Sequence, residues 1–154
     1  MSEQNFTDTE TKATIEEMLE TIGHLQAVRW AADCAERTLP LYEEKYPNDD
    51  RPRNAIDAAR NWLKGDIGVR DARKSAFATH AAARETQDES AIAAARAAGQ
   101  AVSTAHLAGH AIHASTYAAK AAAIASGFDE AAVEAERQWQ LERLNDIKRN
   151  YPNE

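Results

Sequence analysis

Three histidines, His106, His110 and His113, stand close together in a stretch dominated by alanine. In a continuous helix, at about 100° per residue, their side chains fall within an arc of about 60° and look into one space. Neutral imidazoles at i and i+4 are a known arrangement for holding a transition metal. His80, from the preceding helical segment, is a candidate fourth ligand. The candidate metal site is therefore His80, His106, His110 and His113, and the ion it would take is a divalent transition metal. The spacing supplies no carboxylate companion. Leu107-Ala108-Gly109 separates the first two histidines, so there is no general base of the His-Glu-x-x-His kind, and no Glu lies three residues before a His as in di-iron bundles. Histidines that donate to helix carbonyls or fill space beside small residues are the plainer reading, with no cofactor.

A second concentration of chemistry is the run YPNDDRPR, residues 46–53, where Pro, Asn and Asp mark a loop and Pro52 suits the start of a helix. Asp49, Asp50, Arg51 and Arg53 alternate in sign. Carboxylates just ahead of a helix are stabilised by its dipole, and the arginines either pair with them or present forks to an anion or a partner carboxylate. These four are the candidate partner- or anion-binding residues. The single cysteine, Cys34, is flanked by Asp33 and Glu36, which raise a thiol pKa, so a buried structural cysteine is expected rather than a nucleophile. No serine elbow or glycine-rich phosphate loop is present, so nothing signals an enzyme and binding is the favoured activity.

The elements that would position these groups are all helices. Thr7-Asp8-Thr9-Glu10 has capping-box spacing ahead of an amphipathic helix reaching about Ile22, with residues 1–7 expected to be disordered. From His24 a helix carries Leu25, Val28, Ala32, Ala35 and Leu39 on one stripe and Trp30 and Cys34 round the cylinder, so it packs on two sides until Pro40 ends or kinks it. A helix from Pro52 ends at Gly65; Asp66 is placed to cap the next, which turns His80 inward and runs to about Gln87. Residues 88–127 read as one long alanine-rich helix, bent near Gly109, because no cluster of turn residues surrounds Gly99 or Gly109. A last helix, from about Glu130 to Asn150, carries two stripes, one of Ala132, Ala135 and Trp139, the other of Val133, Leu141, Leu144 and Tyr151. The expected fold is an all-α, single-domain bundle of about six helices around a long Ala-rich central helix, spanning residues 8–151.

The chain has 154 residues, enough to bury a core without disulfides, and a formal net charge of −7. That charge disfavours nonspecific nucleic-acid binding, which depends on Lys and Arg displacing counterions. A lone cysteine, no basic-then-apolar leader and no long apolar run imply a cytoplasmic protein without membrane association.

The segments WAADCAERTLPLYEEKYP (residues 30–47), DDRPRNAIDAARNW (49–62), HAAARE (80–85) and AARAAGQAVSTAHLAGHA (94–111) resemble a family of small bacterial immunity proteins. The resemblance spans about residue 25 to the last helix. It implies binding and neutralisation of a cognate protein toxin, without established catalytic residues. With the acidic charge, the expected partner is a basic toxin; a homodimer through the second stripe of the last helix is the structural variant.

Overall fold

The computed structural model describes residues 5–154, and among them it contains eight helices and no strand. They are α1 (Thr11–Leu19), α2 (His24–Thr38), α3 (Pro40–Glu43), α4 (Arg51–Leu63), α5 (Val69–Glu85), α6 (Glu89–Ser103), α7 (His110–Ala125) and α8 (Glu130–Asn150). The all-α bundle is as expected. Two helices beyond the expected six come from the single turn α3, begun by Pro40, and from a break inside the alanine-rich segment. Of the terminal segment expected to be disordered, residues 1–4 lie outside the described residues, and residues 5–7 precede α1 in irregular backbone.

The axis of the bundle is α6. Nearly every side of it is buried, with Ala91, Ala94, Ala95, Ala97, Ala98 and Val102 all inaccessible, and it is packed by α2, α3, α4, α5 and α7. A helix apolar all round is a central one, and alanine lets five neighbours approach together because no side chain holds them off. Larger anchors fill the outer core. Trp30 is fully buried, and its Nε1–H donates to the Gln140 carbonyl at 2.8 Å. Ile56 of α4 and Leu144 and Ile147 of α8 are fully buried as well. On α2 both expected stripes are covered, Val28, Ala32 and Ala35 on one and Trp30 and Cys34 on the other.

The expectation of one long helix over residues 88–127 is corrected by the structure: α6 and α7 form a hairpin joined by residues 104–109. Hydroxyls at the end of α6 take up its last carbonyls, Ser103 Oγ donating to Gly99 O at 2.8 Å and Thr104 Oγ1 to Gln100 O at 2.9 Å. The Thr104 carbonyl accepts from His24 Nε2 at 2.7 Å, a cap delivered by α2 from eighty residues away. Local bonding of Ser and Thr competes with helix continuation, and the tertiary cap stabilises the broken end.

Two start signals are also displaced. The Thr7/Glu10 capping box does not form: Glu10 is the N-cap of α1 with helical backbone and no side-chain cap, because Asp8 turns inward to α8. Asp66 does not cap α5, whose N-cap is Gly68. Other signals hold. Asp88 and Asp129 accept from Ala91 N and Ala131 N, at 2.9 and 3.0 Å, as the caps of α6 and α8, and Gly65 takes the left-handed φ of 80° expected after α4.

The inward stripe of α8 is polar where an apolar one was expected. Between Val133 and Leu144 it buries Glu136, Arg137 and Gln140. Arg137 has no accessible surface, and all five of its N–H groups are used. Nε and Nη2 grip Asp8 at 3.0 and 2.6 Å; Nη1 donates to Ser115 Oγ and Gln140 Oε1, both at 2.9 Å; Nη2 also reaches Thr116 Oγ1 at 2.8 Å. A buried guanidinium is tolerable only when it is paired and its donors are satisfied, so Asp8 pins residues ahead of α1 onto α7 and α8.

Candidate functional site

The loop residues come first. Asp49 accepts from the Tyr42 hydroxyl at 2.6 Å and from Arg51 Nε and Nη2 at 2.9 and 2.7 Å. The Arg51 hydrogen bonds hold the Asp49 carboxyl far below its usual range, and burial together with Asp49 pushes the Tyr42 hydroxyl up. Arg51 also reaches Glu85 of α5 at 2.5 Å. Arg53 is held by Glu43 at 2.7 Å and Glu36 at 3.3 Å. Asp50 occupies the N-cap position of α4 without making a side-chain cap. Arg51 and Arg53 thus spend their forks on the protein's own carboxylates and tie the 46–53 loop to α3, α2 and α5.

Arg53 belongs to a longer chain of alternating charge: Arg143, Asp33, Arg60, Glu36, Arg53 and Glu43, each paired with the next at 2.7 to 3.3 Å. It crosses α8, α2, α4 and α3. Beside it the Arg37 guanidinium lies 4.3 Å over the Trp139 ring and pairs with Glu136 at 2.9 Å. Trp139 is therefore partly covered by its own chain. Cys34 lies beneath this region, fully buried; burial and the carboxylates of Asp33 and Glu136 push its thiol well up, in keeping with a structural role.

The histidines divide. His106 lies in the 104–109 turn, His110 opens α7 and His113 follows one turn later, so the three do not share the single helix face expected of them. His80, His106 and His110 do meet, with Arg73, Ala76, Phe77 and Ser103, around a shallow cleft of about 190 Å³ between α5 and the turn. His113 is not part of its lining; it is exposed, its ring 6.4 Å from that of His110. A larger groove of about 510 Å³, between residues 5–6 and α6 and α7, is lined by mixed side chains including Ile92, Tyr117 and Lys120 and gathers no histidine.

Donor geometry argues against His80 as a metal ligand. His80 Nδ1 lies 2.9 Å from Arg96 Nη1; a guanidinium only donates, so Nδ1 accepts and the proton of neutral His80 sits on Nε2. His110 Nδ1 spends its proton on Gln100 Oε1 at 2.8 Å. Burial, then Arg96, Arg84 and His110, lower the His80 pKa; burial, then His113 and His106, lower that of His110. Both imidazoles are neutral at neutral pH, and neither has a carboxylate beside it. Among the described residues no group of three or more His, Cys, Asp and Glu is disposed to hold an ion.

The family model described as Imm-5 like putative immunity protein matches residues 17–147. The chain belongs to this family. Neither a curated protein nor a solved structure gives a significant match. The immunity-family match covers every helix from α2 to α7 and most of α8, and so includes the cleft, the charge chain and Arg137 with its α7 and α8 partners, but not Asp8. No helix is long and apolar enough to cross a membrane among the described residues.

Two residues absent from the expected site stand out on this immunity-family chain. Phe77 and Leu107 are its large exposed apolar side chains, 69% and 59% accessible. Phe77 lines the histidine cleft, and Leu107 is next in sequence to His106, which lines it as well. A signal was present in the sequence: Phe77 sits at i+7, i+4 and i+3 from Arg70, Arg73 and Lys74, which is one helix face. An aromatic on a basic stripe is out of place as a core residue.

Proposed function

We propose that this chain binds and neutralises a cognate protein toxin by forming a tight complex, and that it works as a binder rather than a catalyst. Membership of an immunity protein family carries the reading. The chemistry on the surface agrees with it: Asp49 of the 46–53 loop and the carboxylates of the charge chain are engaged in ion pairs, the cysteine is buried, and the histidine cleft lacks a carboxylate partner. Such side chains rigidify a surface.

The net charge of −7 speeds the approach of a basic toxin, while apolar anchors buried at the contact set the lifetime of the complex. Exposed carboxylates such as Glu16, Glu17 and Glu20 on α1, which pair with no cation among the described residues, contribute to that long-range attraction. A homodimer through the second stripe of α8 has less to work with, since Val133 and Leu144 of that stripe are buried in the chain's own core.

The test is co-expression with each candidate toxin chosen from the genes that neighbour the chain's own. The chain is expected to restore growth and to purify with the toxin as a stoichiometric complex. Growth arrest unrelieved by the chain, with the two proteins eluting separately, would overturn the reading.

A further inference from the structure

The cations of this acidic protein are unevenly used. Arg29, Arg37, Arg51, Arg53, Arg60, Arg137 and Arg143 all hold carboxylates of the same chain. Arg70, Arg73, Lys74 and Arg84 of α5 and Arg96 of α6 pair with none among the described residues. The four on α5 share one helix face with Phe77 and His80, following the i, i+3, i+4, i+7 pattern, and all four are exposed. Of the two carboxylates on α5, Asp71 stands about 120° round the helix from Phe77 at 100° per residue, and Glu85, next to Arg84, is paired with Arg51. Arg96 meets the same face through His80. The lining of the 190 Å³ cleft contains no carboxylate. Phe77 in that lining and Leu107 beside His106 in the 104–109 turn, both exposed, are the kind of apolar side chains that anchor an interface once a partner excludes water from them.

We propose that the face formed by α5 and the 104–109 turn is the toxin-binding surface, with Phe77 and Leu107 as its apolar anchors, and that it takes an apolar hollow rimmed by carboxylates on the toxin. This rests on the toxin-binding reading above. Charge complementarity selects the occupant: five unpaired cations ring two apolar side chains, and such a rim rejects another basic surface while pairing with an acidic one. The protein's total charge does not oppose this. At physiological ionic strength fields fall off over about 8 Å, so groups beside Phe77 govern the contact, and the acidic excess elsewhere acts on the toxin's total charge only during approach.

The experiment measures binding of the full chain to the toxin so identified, in a catalytically inactive form, for wild type, Phe77→Ala, Leu107→Ala, Arg73→Glu and the control Asn150→Ala, an exposed residue outside the proposed face. Circular dichroism and Tm check that each variant folds, which their exposure leads us to expect. Phe77→Ala is expected to weaken binding about tenfold or more, mainly through faster dissociation. Arg73→Glu is expected to slow association several-fold, an effect that salt reduces. Wild-type binding with Phe77→Ala, Leu107→Ala and Arg73→Glu all within about twofold of it would overturn the surface and leave the toxin reading standing. No wild-type binding overturns both. A second arm uses polyglutamate and polylysine of equal length as probes on the isotope-labelled chain. Polyglutamate is expected to shift amides of residues 70–84 and 104–110, with polylysine shifting other regions; polyglutamate shifts confined to other helices would overturn the cationic face.

Discussion

His80 is seated on Gly99: a Cβ built at position 99 would stand 2.5 Å from the His80 Cε1 and 2.9 Å from its Nε2. The glycine thus allows α5 and α6 to close with an imidazole between them. Gly99→Ala brings about 1 kcal/mol of helix propensity against about 1–3 kcal/mol of overpacking. Net destabilisation is expected, with His80 displaced from Arg96 and its NMR-measured pKa rising towards 6.5. In the double variant with His80→Ala the loss should shrink, which thermal unfolding of the four-member cycle measures.

Arg137 and Asp8 hold the start of the described chain onto α7 and α8. Arg137→Met leaves Asp8 without its cation and removes the donors used by Ser115, Thr116 and Gln140; a loss of about 3–5 kcal/mol is expected in urea unfolding. Burial raises the Asp8 carboxyl, but the hydrogen bonds and charge of Arg137 outweigh it and leave its pKa below the ordinary 3.8. The contribution of this pair is complete above pH 3.8 and disappears as pH falls through the lower, folded-state value. Asp8→Asn should flatten that part of the acid limb.

Acid should also act through the histidines. The unfolded chain takes up protons at His80 and His110 near pH 6.5, and the folded chain does so only at lower pH. Stability from the neutral rings is therefore full above pH 6.5 and declines below it. For His80 the groups opposing protonation are Arg96, Arg84 and His110; for His110 they are His113 and His106. The drop in Tm between pH 7.5 and 5.5, values chosen about one unit either side of 6.5, should be smaller in the variant carrying His80→Gln and His110→Gln.

Arg60 stands mid-way in the charge chain, 2.9 Å from Asp33 and 2.8 Å from Glu36. Burial disfavours its charge, and the hydrogen bonds to Glu36 and Asp33 more than restore it. Arg60→Gln should cost about 1–2 kcal/mol at low salt, more than an isolated surface pair because two carboxylates lose their shared partner, and less as salt is raised. Denaturant midpoints at two ionic strengths check this.

Much of the fold was legible along the chain because its signals are local. Pro40, Gly65 and the periodic apolar residues act within one or two turns of themselves, and they placed α2, α4, α5 and α8 nearly as found. The 30–47, 49–62, 80–85 and 94–111 segments carried the immunity-family resemblance that the match over residues 17–147 bears out. What depended on distant partners was not legible. The α6–α7 break rests on a His24 cap from another helix, and the Thr7/Glu10 box gives way where Asp8, between them, is held by Arg137, 129 residues away. The polar stripe on α8 reads as surface until Ser115, Gln140 and Asp8 close round it. For function, residue type alone could nominate four histidines and the 46–53 charges; only packing decided that the arginines there are spent on internal carboxylates. Packing likewise turned Nδ1 of His80 to Arg96 and left Phe77 in water beside unpaired cations. Hydrogen-bond partners are chosen by proximity in space, and proximity is a property of the folded chain.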